Sequence, residues 1–307
     1  MKEPFFSIVT TVYNKEKYIK QCILSVLNQT FGDFEFIVVN DCSTDNTLNV
    51  LEEFKDDRMK IHNIANNRGV SFCRNYGLKN ACGKYIYFID SDDYLEETIL
   101  KRAYEELCLN PSDMLIFPYH LYMETKKRVK RDNSKRMLKP IVNFKKPFCV
   151  QSSTKELLEL SYEVWNKIFN RDFLCNSSIF FKEDLGFSED LVFYCDILAH
   201  AKTATYLDAA GYYYRFFRKK KFNNDYVVEQ FEKAFGYIKD TIVNKMGEEY
   251  YIQKVSSILN YWIIKLDYDK DLYNLALKLS KGKGIINIKG GLRKIFHKFY
   301  SKVKNIL

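Results

Sequence analysis

The sequence predicts an α/β fold: a mainly parallel sheet flanked by helices, followed by a helical C-terminal region. The first observation is that strand-like and helix-like segments alternate about every 25 residues through residues 1–118. The second is that polar residues directly follow the apolar strand segments, and the third is that everything beyond residue 225 has helical spacing. Such alternation is typical of right-handed βαβ crossovers, whose ligand crevice lies at the carboxyl ends of the strands.

Each element of the first half has its own pattern. Short apolar runs rich in β-branched and aromatic residues predict strands at 7–12, 34–39, 59–64, 84–89 and 113–118. Apolar residues three and four positions apart predict the intervening helices at 15–29, 44–55, 70–81 and 95–109.

The second half changes character. Residues 119–153 contain several Lys/Arg pairs and few apolar residues, which indicates an exposed hairpin or loop. These charged side chains either form a solvated surface or contact an anionic acceptor. A mixed α and β region follows and ends in the aromatic strand 212–216. Helical spacing then predicts helices at 226–244, 248–266, 270–280 and 291–306.

Composition excludes several classes of protein. Eight of the nine net positive charges lie in residues 281–307, so the body is nearly neutral and a nucleic-acid-binding surface over the whole fold is not indicated. The eight cysteines include no C-x-x-C pair, which favours reduced core thiols over zinc ligands or disulfides. The sequence has neither a signal-peptide pattern nor an apolar run long enough to span a bilayer, so we expect a cytoplasmic protein.

The stretch Ile86-Tyr-Phe-Ile-Asp-Ser-Asp-Asp93 is the strongest indication of a functional site. An apolar strand ends there in three carboxylates, and an unpaired buried carboxylate is costly, so these acids are expected to meet a cation or a polyhydroxyl ligand. The alternative is that Ser91 or Asp92 caps the next helix while Asp93 interacts with its dipole. Tyr13-Asn14 and Asn40-Asp41 follow other strands and are expected at the same edge.

Several short motifs in order resemble the family 2 inverting glycosyltransferases of GT-A fold found in bacterial surface-polysaccharide synthesis. The motifs cover residues 5–100, and a further match lies at 188–190. In order along the chain they are Ser7-Ile-Val-Thr-Thr-Val-Tyr-Asn14, Ser25-x-x-x-Gln29-Thr30, Val38-Val-Asn-Asp41-Cys-Ser43-Thr-Asp45, Asn67-Arg-Gly69 through Arg74-Asn75-x-Gly77, Asp90-Ser-Asp92-Asp93 and Ser188-Glu189-Asp190. The sequence departs from the common pattern at Cys42, often Gly, and at Cys73, usually Ala; Cys42 removes the freest backbone conformation at that turn.

The resemblance implies a UDP-sugar donor and the residues that bind it. Asp41 would accept a hydrogen bond from uracil, Thr11 and Tyr13 would surround the base, and Arg74 and Asn75 would face ribose and phosphate. The donor-binding residues implied are Thr11, Tyr13, Asp41, Arg74, Asn75, Asp90 and Ser91. The alternatives are helix capping by Asp41, strand-end packing by Thr11 and Tyr13, and a surface helix face carrying Arg74 and Asn75.

The resemblance also assigns the D-x-D acids. Asp90 would hold the ribose or approach the metal through water, and Asp92 would coordinate a divalent cation that bridges the diphosphate. Mn²⁺ or Mg²⁺ is expected, since carboxylate and phosphate oxygens are hard ligands. Asp93 would support the metal ligands from behind or cap the following helix.

The acceptor side is assigned from the Glu-Asp pair. Asp190 corresponds to the family's proposed general base, with Glu189 and Trp165 on the acceptor side. The alternatives are that Asp190 is only a helix N-terminal acid and that Trp165 is core. Transfer in one displacement would invert the anomeric centre.

The resemblance divides the chain into a GT-A domain at 1–220 and a helical region at 225–307. The domain's nucleotide-sugar half would be 1–118 and its acceptor half 119–220. Residues 291–307 place apolar side chains on one helical face and Arg/Lys on the others, which predicts either docking on an anionic membrane surface or packing against the protein body. Membrane docking would favour a lipid-linked saccharide acceptor and a peripheral location at the inner face of the membrane.

The sequence fits two other functions less well. A nucleotidyltransferase would need a Gly-rich basic loop after the first strand, where the chain has Tyr13-Asn14-Lys15-Glu16. A non-catalytic sugar- or lipid-binding protein on a degenerate transferase fold would be expected to lack Asp92 or Asp190, and both are present. Nucleic acid is not an expected partner, because the aromatic residues of the tail lie on its apolar face.

Overall fold

The computed structural model describes residues 3–130, 138–217 and 224–265, together with residues 271, 274, 275, 278 and 279. The strands are β1 Phe6–Val12, β2 Phe34–Asn40, β3 Met59–Asn63, β4 Tyr85–Asp90, β5 Tyr94–Leu95, β6 Met114–Ile116, β7 Tyr119–Met123, β8 Arg128–Lys130, β9 Phe148–Cys149, β10 Lys167–Asn170, β11 Thr203–Tyr206 and β12 Tyr212–Phe216. The α-helices are α1 Ile19–Leu27, α2 Thr47–Glu52, α3 Val70–Asn80, α4 Ile99–Leu109, α5 Thr154–Leu158, α6 Arg171–Asn176, α7 Glu189–His200, α8 Asn224–Met246 and α9 Glu248–Lys265.

The main sheet has eight strands in the order β3-β2-β1-β4-β10-β6-β11-β9. The first four are parallel, whereas β10 runs antiparallel to both β4 and β6. The register places Thr11 beside Val39 and Asp90, so the ends of β1, β2 and β4 lie side by side. This confirms the predicted α/β fold with its mainly parallel first half and its polar edge.

A smaller sheet lies next to that edge, in the order β5-β12-β7-β8. β12 runs parallel to β7 and antiparallel to β5, and β7 forms an antiparallel hairpin with β8. β5 directly follows the acidic stretch at the end of β4. Because β12 pairs with β5, the small sheet places β12 against that acidic stretch. The exposed hairpin predicted within 119–153 therefore exists at 119–130.

The main sheet is covered on both faces, which explains why its strands are near-continuous apolar runs. One cluster contains Ile8 and Val12 of β1 with Ile19, Ile23 and Leu100 of the helices on that face. The other contains Val9 with residues of α3, α7, α8 and α9, including the buried Phe231 and Leu259. The C-terminal helices thus share a hydrophobic core with the sheet, while the division into a domain and a helical region stays a prediction.

Three helices begin later than predicted, including α2, which begins at Thr47 and not at residue 44. α1 begins at Ile19 and not at residue 15, because residues 15–18 form a turn whose Lys15 carbonyl accepts from the backbone N–H groups of Tyr18 and Ile19. α4 begins at Ile99 and not at residue 95, because Tyr94 and Leu95 pair with β12 as β5. The helices predicted at 226–244 and 248–266 are present as α8 and α9.

The C-terminal predictions fall mostly outside the described residues. The five described residues between 271 and 279 are helical, in agreement with the helix predicted at 270–280. The amphipathic helix predicted at 291–306 lies outside them. Across the described ranges, no helix has the length and hydropathy to cross a membrane.

Candidate active site

Four titratable groups from distant parts of the chain meet beside the end of β4. Arg74 of α3 is buried and contacts three carboxylates: Asp90 at 3.1 Å, Glu189 at 3.0 Å and Asp190 at 2.6 Å. Asp90 ends β4, and Glu189 and Asp190 begin α7, whose first turn favours negative charge. The structure therefore brings the predicted general base next to the D-x-D stretch, and Arg74 joins them.

Burial and mutual repulsion perturb these carboxyl groups. Burial raises the pKa of Glu189 to about 7, with repulsion from Asp190 adding to it and Arg74 opposing it. Burial also raises the pKa of Asp190, and repulsion from Glu163 adds to that rise. Burial likewise raises the pKa of Asp90, with repulsion from Asp92 adding to it. Arg74 opposes both shifts. Arg74 is thus the positive charge that holds Asp90 and Asp190 closer to their ionised forms.

Asp92 faces a different cation. Its Oδ2 lies 2.5 Å from Nζ of Lys15, and both side chains are partly exposed. No cluster of three His, Cys, Asp or Glu side chains that would hold a metal occurs among the described residues. A single carboxylate suits Mg²⁺ or Mn²⁺ all the same, because Mg²⁺ is commonly bound through one or two carboxylates together with substrate phosphates and water.

Asp93 is a buried structural acid. Its Oδ2 accepts from the Tyr212 hydroxyl at 2.6 Å and its Oδ1 from the Arg215 backbone N–H at 2.6 Å. Burial raises its pKa well above the ordinary value, with Asp90 and Asp92 adding to the shift. The prediction that Asp93 caps the following helix is wrong, because α4 begins after Thr98 and β5 lies between; Asp93 instead fastens the acidic stretch to β12.

Arg215 of β12 is a second buried arginine at this edge. Its Nε donates to the Asp92 carbonyl at 2.6 Å, its Nη1 to Glu124 at 2.5 Å and its Nη2 to Gln21 at 2.6 Å. Glu124 directly follows β7, so Arg215 links the β7–β8 hairpin to the D-x-D stretch. Three tyrosine rings also surround the guanidinium, those of Tyr18, Tyr94 and Tyr122.

The predicted base-binding residues lie at the ends of β1 and β2. Asp41 is buried, and its carboxylate accepts from the backbone N–H groups of Arg68 at 2.7 Å and Gly69 at 2.8 Å. Cys42 has φ 60°, a left-handed conformation that glycine adopts most readily. Tyr13 is exposed and Thr11 is half-buried, whereas Ser91 is buried. Their contacts with a donor stay a prediction.

Asn75 is placed differently from Arg74. Its amide is buried, donates to the Phe181 carbonyl at 2.9 Å and accepts from the Phe181 N–H at 2.9 Å, with Glu183 as a further acceptor at 3.0 Å. These bonds anchor the segment that leads into α7. The structure therefore gives Asn75 a clear role in supporting the fold, and its predicted contact with the donor is untested.

Trp165 belongs to an aromatic stack under the small sheet. Its ring stacks on Tyr212 and Tyr214 with centroid distances of 4.5 and 5.1 Å and is 97% buried. The neighbouring Lys167 is fully buried and donates to three oxygens, and burial lowers its pKa to about 8. Within the described part of the chain, the buried Oε2 of Glu163 has no hydrogen-bond partner, which makes Glu163 a further polar group beside Asp190.

Fold and site together define a GT-A glycosyltransferase: a mainly parallel α/β sheet with a D-x-D stretch at its edge and a Glu-Asp pair opposite. The family model described as Glycosyl transferase family 2 matches residues 7–160. The chain belongs to this family. It is 30% identical over 220 residues to the "Uncharacterized glycosyltransferase EpsJ" of Bacillus subtilis, an alignment that covers 69% of this chain and 61% of EpsJ.

A second relative has solved structures. The "Poly(ribitol-phosphate) beta-N-acetylglucosaminyltransferase TarS" of Staphylococcus aureus is 30% identical over 213 residues, 68% of this chain and 35% of TarS. The chain thus spans about a third to three fifths of these relatives. The structure of TarS 1–349 with UDP-GlcNAc superposes with a TM-score of 0.69 at 26% identity, covering 89% of this chain and 79% of that one.

Sequence reasoning missed two residues of this site. Lys15 lies 77 positions from Asp92, and Arg215 lies 123 positions from the same residue. Lys15 directly follows the Tyr13-Asn14 pair, which was predicted at this edge of the sheet, so the position of Lys15 there was weakly indicated. Arg215 sits within the tyrosine-rich strand, and only the pairing of β12 with β5 reveals what it contacts.

Proposed function

We propose that this protein transfers a sugar from a UDP-sugar to a hydroxyl group of a saccharide acceptor, with Mn²⁺ or Mg²⁺, and inverts the anomeric centre. The observation that carries the proposal is the Arg74 cluster. It unites Asp90 of the D-x-D stretch with Glu189 and Asp190, so donor-side and acceptor-side acids share one buried counter-ion.

The donor is proposed to be a UDP-sugar, with UDP-GlcNAc as the first candidate. The support is the similarity to TarS, which has been solved with both UDP and UDP-GlcNAc. Asp41, Thr11 and Tyr13 stand at the ends of β1 and β2, where this proposal requires the uracil. Binding of the base by Asp41 is compatible with its two bonds from the 68–69 backbone, because a carboxylate has about four acceptor positions.

Asp92 is the proposed metal ligand. A divalent cation bound there would stabilise the negative charge that develops on the departing UDP. Lys15, Arg74 and Arg215 supply positive charge of the chain itself at this edge. Two contacts with β12 hold the backbone of Asp92 in place. The Asp92 carbonyl accepts a hydrogen bond from Arg215, and the neighbouring Asp93 carboxylate accepts one from the Arg215 backbone N–H.

Asp190 is the proposed general base. Its Oδ1 is bound by Arg74 at 2.6 Å, while its Oδ2 has only a long contact of 3.4 Å with the Val164 N–H and retains capacity to accept the acceptor's proton. Burial raises the pKa of Asp190, which makes it a stronger base than an exposed aspartate, and Arg74 opposes that rise and so favours the ionised form. Removing the proton as the hydroxyl attacks from the face opposite UDP gives inversion in one step.

The acceptor is proposed to be a saccharide, lipid-linked where the chain docks on a membrane. The family membership and the similarity to TarS, whose name gives a poly(ribitol-phosphate) acceptor, support a cell-surface polymer as its destination. The predicted anchor at 291–307 lies outside the described residues, so peripheral membrane binding rests on the sequence pattern.

The proposal is tested by measuring UDP release from a panel of UDP-sugars with Mn²⁺ or Mg²⁺. We expect one donor to be hydrolysed or transferred, and Asp92→Ala and Asp190→Asn each to reduce the rate by about 10²-fold or more. Asp172→Asn is the matched control, because Asp172 is likewise an acid in the first turn of a helix but lies on the exposed α6. UDP binding without turnover of any donor, with membrane extract supplied as acceptor, would establish the non-catalytic alternative.

A further inference from the structure

Lys15 is bound to the one acid that the proposed reaction needs for its metal. Its Nζ lies 2.5 Å from Asp92 Oδ2, and the two side chains are 33% and 18% exposed. By contrast Lys20, in the first turn of α1, pairs with Glu53 at 3.0 Å, and those two side chains are 60% and 56% exposed. The Lys15–Asp92 pair is therefore the more desolvated and the stronger of the two.

The backbone that carries Lys15 is fixed. The turn at residues 13–16 is bound to the loop at 43–47 by hydrogen bonds in both directions: Asn14 Oδ1 accepts from the Thr44 N–H at 2.7 Å, and the Lys15 N–H donates to Thr47 Oγ1 at 2.9 Å. Glu16 and Asp45 add a bond at 3.2 Å. Lys15 is thus presented to the edge of the sheet by a rigid turn, and only its side chain is free to move.

The charge balance at this edge assigns Lys15 the role of counter-ion to Asp92. Asp90, Glu189 and Asp190 share Arg74, which leaves Asp92 with Lys15 as its counter-ion. A divalent cation bound to Asp92 and the lysine ammonium would repel each other at hydrogen-bond distance. Metal binding to Asp92 therefore requires Lys15 to leave, and a bound diphosphate offers new oxygen acceptors beside it.

We propose that Lys15 is an exchangeable counter-ion: it holds Asp92 in the donor-free protein and moves to the diphosphate of the donor when a divalent cation takes Asp92. The inference rests on the proposed function, because it assumes a diphosphate-containing donor. Its consequence is that metal and donor bind together, since the metal displaces Lys15 and the displaced ammonium then strengthens donor binding. The same lysine disfavours metal binding to the donor-free protein.

Lys15→Met separates the two roles, because it removes the ammonium and keeps a similar apolar length. We expect Mn²⁺ to bind the donor-free variant about threefold more tightly than the wild type, since a partly exposed ion pair no longer competes for Asp92. At saturating Mn²⁺ we expect UDP to bind the variant about tenfold more weakly, since a charge-assisted hydrogen bond to phosphate is lost. Mn²⁺ binding is followed by electron paramagnetic resonance and UDP binding by calorimetry.

The controls make each outcome decisive. Lys20→Met removes the neighbouring exposed ion pair and is expected to change neither affinity, whereas Lys15→Arg keeps the charge and is expected to retain most of the UDP affinity. The proposal requires both opposite shifts in Lys15→Met, so a variant that binds no more Mn²⁺ than the wild type, or binds UDP equally well, overturns it. If the wild type does not bind UDP in the presence of Mn²⁺, the proposed function itself is wrong.

Discussion

At the scale of single residues, Arg74 is the most heavily engaged side chain of the site. It binds three partly buried carboxyl groups and lies with its guanidinium carbon 5.1 Å from the centre of the Phe181 ring. An arginine suits this position because its planar fork can donate to several oxygens at fixed angles, which a lysine ammonium cannot reproduce. The carboxylates would repel one another without it.

Replacing Arg74 with Met is expected to destabilise the protein by about 3 kcal/mol, because it leaves three partly buried carboxyl groups without their counter-ion. Arg102→Met is the control, because Arg102 is partly exposed and its ion pair with Glu96 is long, at 3.8 Å. This variant is expected to lose about 0.5 kcal/mol of stability or less. Urea denaturation measures both. Equal stability losses in the two variants would contradict the assigned role of Arg74.

Glu189 gives a prediction about pH. In the folded protein its pKa is about 7 against an ordinary 4.5, so between those values the folded state keeps a proton that the unfolded state releases. The free energy of unfolding therefore falls as pH rises through this interval and levels off above it. Urea denaturation between about pH 5 and pH 8 is expected to show this fall in the wild type and a smaller one in Glu189→Gln. An identical pH profile for the variant would show that Glu189 does not hold the proton.

At the scale of elements, the strands were predictable and the contacts at the site were not. The runs at 7–12 and 84–89 are buried on both faces of the sheet, so apolarity alone identified them. Tyr94 and Leu95 read as the start of a helix because their partner strand, β12, lies more than 100 residues later. Arg74 was predicted to face the donor's ribose and phosphate, and the three acids that it binds were each identified as site residues. Their contact with Arg74 could not be predicted, because no local sequence pattern links α3 to α7.

The β7–β8 hairpin depends on Arg215, which connects Glu124 to the D-x-D stretch. Arg215→Met is expected to lower the local opening free energy of β7 by about 1–3 kcal/mol, because buried hydrogen bonds are lost. Hydrogen exchange of residues 119–123 measures the change. Arg128→Met, in the same hairpin but exposed, is expected to leave that exchange rate unaltered. Unchanged exchange in the Arg215 variant would refute the link.

At the scale of the whole molecule, location depends on the tail. Residues 281–307 carry eight of the nine net positive charges. If residues 291–307 dock on anionic lipid, deleting 285–307 is expected to move the protein from the membrane to the soluble fraction of a cell lysate, because each cation near the surface contributes about 1 kcal/mol. Replacing Arg293, Lys294 and Lys298 with Gln is expected to do so in part. A distribution unchanged by the deletion would eliminate membrane docking.

The bond between Arg74 and the start of α7 also bears on how such enzymes diversify. The matched family segment ends at residue 160, before Glu189 and Asp190, so the part most readily recognised in sequence stops short of the proposed base. A chimera that joined residues 3–118 of this chain to the second half of a relative would bring Arg74 into a new protein without its acids. We therefore expect such a chimera to fold well only when the second half presents two acids at the matching helix start, where they can pair with Arg74.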